Sequence, residues 1–135
     1  MNLEVLLQIA GAVQIGIAVL NLFLVRILRW QLELAGLPLL LREVFQVHLW
    51  FISVTVGLFG VLTVRFAGEI AGGANDLARW LAAGIGIFWG LRTILQITYY
   101  SATHWRGIAP RTAIHMALLV MYGGMAVVYL KGAGV

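Results

Sequence analysis

Residues 77–101 read LARWLAAGIGIFWGLRTILQITYYS, and the architecture of the whole chain follows from this segment. It is long and apolar enough to cross a bilayer, which takes about 20 predominantly apolar residues. Arg92 lies inside it, and no Asp or Glu sits at membrane depth anywhere in the chain to pair with it. A lone guanidinium in hydrocarbon costs roughly 3 kcal/mol on insertion scales. Whatever offsets that cost is the first pointer to function.

The rest of the chain repeats the pattern. Of its 135 residues 62% are hydrophobic and only 10% charged, where a soluble domain is nearer one quarter charged. Three more segments are long enough to span: about Val5 to Leu28, Val44 to Phe66, and Arg111 to Leu130. With the stretch from Leu77 to Ser101 they predict an all-α integral membrane protein, an antiparallel four-helix transmembrane bundle filling residues 1–135 as one domain. The breaks carry turn chemistry. Ala35-Gly36-Leu37-Pro38 divides the first pair, Gly68 through Asp76 the second, and Gly107 to Pro110 the third. Asn75 or Asp76 is suited to cap the third helix, and Pro110 suits a first helical turn. The acidic start, with Glu4, does not resemble a cleaved secretory signal. Residues 29–42 are greasy for a loop and are read either as a segment in the interface plane or as extensions of the adjoining helices.

The net charge of +4 is spread over residues that flank apolar runs. It therefore points to interfacial anchoring in a lipid bilayer and not to nucleic acid. Four crossings place both termini on one side. The opposite side collects Arg26, Arg29, Arg42, Arg106 and Arg111, against Arg65, Arg79 and Lys131. By the positive-inside rule this predicts a multi-pass protein of the inner (cytoplasmic) membrane with both termini outward. The absence of cysteine excludes disulfides, thiolate metal sites and thiol redox chemistry. The absence of a membrane-embedded carboxylate counts against a proton-coupled multidrug exchanger.

Polar residues converge on the side that receives the first and third connections. His48 and His115 each lie about one turn into a span from that side, at similar expected depth. Trp89, Arg92, Gln96 and Tyr99 follow a helical rhythm along the third span, with Tyr100, His104 and Trp105 beyond them. His115, Tyr122 and Tyr129 are seven apart on the fourth, His48 and Thr55 share a face of the second, and Gln14 and Asn21 a face of the first. Such seams normally face inward in a membrane bundle.

Two histidines at matched depth on alternate helices are expected to suit axial ligation of a b-type haem, whose propionates would meet the arginines. The same set, His48, Arg92, Gln96, Tyr99 and His115, also suits the carbonyls of a quinone. The first expectation is thus a small electron-transfer subunit that binds haem b or quinone, similar in architecture alone to membrane anchors of respiratory complexes. A second is an enzyme or carrier for an amphipathic anionic or lipid ligand held by Arg92. A third is a non-catalytic subunit of a homo-oligomer or larger membrane complex. A metal site of His48, His104 and His115 ranks below the haem. Each residue also has an ordinary role: histidines bonded across helices, an arginine satisfied by Gln96, and tyrosines and tryptophans in an interfacial belt.

Overall fold

A computed structural model describes residues 2–100 and 107–135. Among the described residues six helices follow in order: α1 (Leu3–Leu22), α2 (Leu24–Ile27), α3 (Gln31–Ala35), α4 (Leu39–Gly72), α5 (Asp76–Thr98) and α6 (Ala109–Gly132), with no strand. Four of them, α1, α4, α5 and α6, are long and apolar enough to cross a membrane. These are the four long helices expected of an all-α transmembrane bundle, and they mark the chain as a multi-pass membrane protein.

At 34 residues α4 is about 51 Å long, well beyond the ~30 Å hydrocarbon thickness. It is not one rod. Phe66 leaves helical geometry (φ −113°, ψ 20°) and kinks it, at the residue where the second span is expected to end. The same point divides the chain into two compact units. One is Gln8–Arg65; the other joins Phe66–Val135 to the N-terminal residues through Leu7.

In the first unit α1 and α4 run antiparallel and touch through small residues. A Cβ on Gly60 would stand 2.6 Å from the Gly11 carbonyl oxygen and 2.8 Å from Ile15 Cγ1, and one on Gly57 would stand 3.5 Å from Ala18. Backbones approach this closely only where side chains are missing, which is how helices pack when lipid removes the hydrophobic drive between them. The buried rows are Ala10, Gln14 and Ala18 on α1, and Ser53, Val56, Gly60 and Thr63 on α4. Ser53 and Thr63 each donate to the carbonyl four residues back, Leu49 and Phe59, so their hydroxyls are satisfied within their own helix.

In the second unit α5 and α6 pack antiparallel along their length. Leu130 covers Gly86, and a Cβ on Gly132 would meet Ile70 at 2.8 Å and Ala82 at 3.6 Å. Leu7, Ala82, Ile85 and Tyr129 have essentially no exposed surface. The turn before α5 is closed at Gly73, which takes φ +59° while its amide bonds to Ile70; that left-handed geometry suits glycine. Asn75 caps α5, its Oδ1 accepting from the Ala78 amide at 2.9 Å. Asn75→Ala is expected to lower unfolding stability by about 1 kcal/mol, read as an earlier thermal transition in mild detergent, with Asn75→Asp retaining most of it.

Candidate functional site

One helical row builds the site. Around α5, at 3.6 residues per turn, Gln96 lies only about 20° from Trp89, and Arg92 about 60° to the side. Trp89 and Gln96 are accordingly buried against α6, while Arg92 is half-buried on the flank. On α6 the seven-residue spacing brings His115, Tyr122 and Tyr129 to one buried face, as the sequence predicts.

These two rows meet in a directional relay. Arg92 Nη1 donates to Gln96 Oε1 at 3.0 Å. Gln96 Nε2 then stands 2.9 Å from His115 Nδ1. Arginine has only donors, so the glutamine must turn its carbonyl oxygen toward Arg92. Its amide nitrogen is thereby committed to His115, and Nδ1 must be the unprotonated ring nitrogen. The imidazole proton of a neutral His115 sits on Nε2. The tautomer is fixed by Arg92, two side chains away.

Aromatic faces complete the surroundings of the guanidinium. Arg92 Cζ lies 4.7 Å from the ring centroid of Tyr122 and 5.6 Å from that of Tyr100. Tyr122 is itself stacked on Trp89, centroids 5.3 Å apart and planes at 20°. A hydrogen bond from a charged donor contributes about 1.5–3 kcal/mol, and each cation–π contact about 0.5–2 kcal/mol. Together they come to about 2.5–7 kcal/mol, on the scale of the roughly 3 kcal/mol cost of placing arginine in a span. All these partners are neutral. Asp76, the last acidic residue of the sequence, stands in the first turn of α5, sixteen residues or about 24 Å along the helix from Arg92, so Arg92 is solvated by its neighbours and no carboxylate of α5 or α6 is near enough to cancel its charge.

The structure brings Arg92, Gln96 and His115 together and treats the other expected residues differently. Tyr99 is 78% exposed and touches Tyr100 edge-on. The rhythm that suggests it drifts: Tyr99, the C-cap of α5, is about 80° around the helix from Trp89, and Tyr100 follows beyond the helix end. Of these two, it is Tyr100 that reaches Arg92. His48 belongs to the other unit and is exposed, its Nδ1 donating to the Val44 carbonyl of its own helix at 2.8 Å. The buried row of α4 passes through Ser53 and Val56, not His48 and Thr55. His104, Trp105 and Arg106 lie outside the described residues. Among the described residues no group of three or more His, Cys, Asp or Glu is placed to hold a metal ion. In comparisons with protein-family models, characterised proteins and solved structures, nothing matches the chain.

Proposed function

We propose that the chain is a membrane-embedded binding protein that holds the anionic head of an amphipathic molecule at Arg92, with Gln96, His115, Tyr100 and Tyr122 shaping the site. One observation carries the reading: among the described residues, the groups that solvate this half-buried arginine in a span are all neutral. A carboxylate or phosphate head supplies the missing charge, and the lipid-facing side of α5 accommodates an apolar tail. We place the protein in the inner membrane with both termini outward, on the five-to-three arginine and lysine bias, as a homo-oligomer or a subunit of a larger complex.

The haem and quinone readings draw on the same residues with less support. Axial ligation by a histidine whose Nδ1 is hydrogen-bonded to its surroundings leaves Nε2 to supply the lone pair. His48 is suited to it, because its Nδ1 proton is donated to Val44. His115 is held in the opposite tautomer by Gln96. A quinone carbonyl accepts from Arg92 but leaves its charge in place.

The test is saturable quenching of tryptophan fluorescence in nanodisc-embedded protein by doxyl-stearic acid, with its uncharged methyl ester as control. The acid is expected to show a saturable component that the ester lacks. Arg92→Gln is expected to weaken it at least about tenfold, the loss of one charge-assisted contact. Equal quenching by acid and ester, or no change in Arg92→Gln, overturns the proposal. A Soret band in the purified protein that disappears in His115→Ala would move the assignment to haem.

A further inference from the structure

The connection between the first two spans carries an apolar surface in an unusual place. In α4, Val44–Val64 is free of Asp, Glu, Lys and Arg and about 30 Å long, which matches the hydrocarbon thickness of a bilayer. Glu43 and Arg42 mark one end of that stretch and Arg65 the other. The Trp30 ring meets Phe45 edge-on at 6.5 Å, so the chain around Arg29 stands level with the start of the stretch. Leu39, Leu40 and Leu41 therefore lie beyond the charged level, yet they are 59%, 70% and 55% exposed, and Leu32 is 85% exposed.

The backbone turns the chain out of the span to make this surface. The Trp30 amide bonds to the Val25 carbonyl and the Arg29 amide to that of Arg26, a helix-ending closure normally completed by glycine. Here Arg29 takes the left-handed position, φ 56°, a conformation costly for a residue with a Cβ. The five-residue α3 follows, with Leu34 buried and Leu32 outward.

We infer that residues 23–42 form a foot seated in the phospholipid headgroup layer, with Leu32, Leu39 and Leu40 packed among the headgroups and Arg26, Arg29 and Arg42 on lipid phosphates. The depth fits. Leu39 is three residues beyond Arg42, about 4.5 Å along the helix. The headgroup region on each side of the bilayer is about 5–7 Å thick. Arg26 and Arg29 are exposed and Arg42 half-exposed; against Glu33, the one acid of the segment, and Glu43 just past its end, they leave a net positive charge facing the phosphates. This is the composition of an interfacial segment, leucines and tryptophan set among arginines.

The chain has no cysteine, so Leu32→Cys and Leu40→Cys each give a unique spin-label site in the full-length protein. Reconstituted in phosphatidylcholine–phosphatidylglycerol vesicles, both labels are expected at headgroup depth. Their collisions with a water-soluble nickel chelate should be severalfold below those of a label in bulk water, while oxygen remains accessible. Labels as open to the chelate as bulk water overturn the foot. Labels immobilised and shielded from both relaxants overturn it too, and assign the surface instead to a protein partner or a second copy. In the triple variant Arg26→Gln, Arg29→Gln, Arg42→Gln, the Leu40 label is expected to move toward water. An unchanged depth overturns the role given to the phosphates.

Discussion

Gly60→Leu is expected to abolish the folded state of the first unit, and Gly60→Ala to destabilise it by about 1–3 kcal/mol, the range for overpacking a close contact. The magnitude follows from what a new Cβ would strike. It would stand 2.6 Å from the Gly11 carbonyl oxygen and 3.0 Å from the Ile15 amide nitrogen. Both are backbone atoms of α1, so no rotamer change relieves the clash and the helices must separate. Gly16 is the control, because a methyl group added there would meet nothing within 4 Å. Gly16→Ala should be neutral or slightly stabilising, since alanine is the better helix former. Unfolding in mixed micelles, followed by far-ultraviolet circular dichroism, separates the two. Equal stability of Gly60→Ala and Gly16→Ala would mean that α1 and α4 are not held by this crossing.

The contrast between these two glycines also shows how far the sequence can be read. Apolar length and turn residues are enough for four spans and for the Asn75 cap, because each depends on local chemistry; they do not show that α4 kinks at Phe66 and stays helical from Gly68 to Gly72, where the sequence reads as a break. Which glycine touches a neighbour depends on how a helix is rotated, and a chain with 16 glycines offers too many choices. The same limit explains the site. Seven-residue steps hold a face well, so His115, Tyr122 and Tyr129 are legible on α6. Unequal short steps accumulate rotation and carry Tyr99 off the row, and α5 ends at Thr98, so the helical spacing favours Tyr99 where the structure uses Tyr100 from beyond the helix end. A polar residue in a span usually faces inward, which makes His48 look like a core residue. Its Nδ1 is instead satisfied by its own helix. The hydroxyls of Ser53 and Thr63 bond in the same way, yet these smaller side chains enter the packed row. Nothing in the sequence separates those two outcomes.

Gln96→Glu is expected to bring a proton onto Nδ1 of His115, and Gln96→Leu to cost about 3 kcal/mol, the upper end for a hydrogen bond to a charged group. The glutamine both accepts and donates within the relay, so its two replacements act differently. A leucine removes the acceptor of Arg92 and the donor to His115 together, and the loss of the charged hydrogen bond alone is about 1.5–3 kcal/mol. A glutamate keeps the shape and accepts from Arg92, but it has no proton to give to Nδ1. His115 can keep that contact only by carrying a proton on Nδ1, as the Nδ1–H tautomer or as the imidazolium, and nitrogen-15 chemical shifts of the labelled imidazole report both directly. The same change places a carboxylate beside Arg92 and cancels its charge, so the saturable component of doxyl-stearate quenching should fall with it, although the fold is intact. These two readouts are independent. Unaltered imidazole shifts in Gln96→Glu would show that the relay does not set the tautomer. Quenching that survives in a folded Gln96→Glu protein would show that an uncancelled charge on Arg92 is not what draws the ligand.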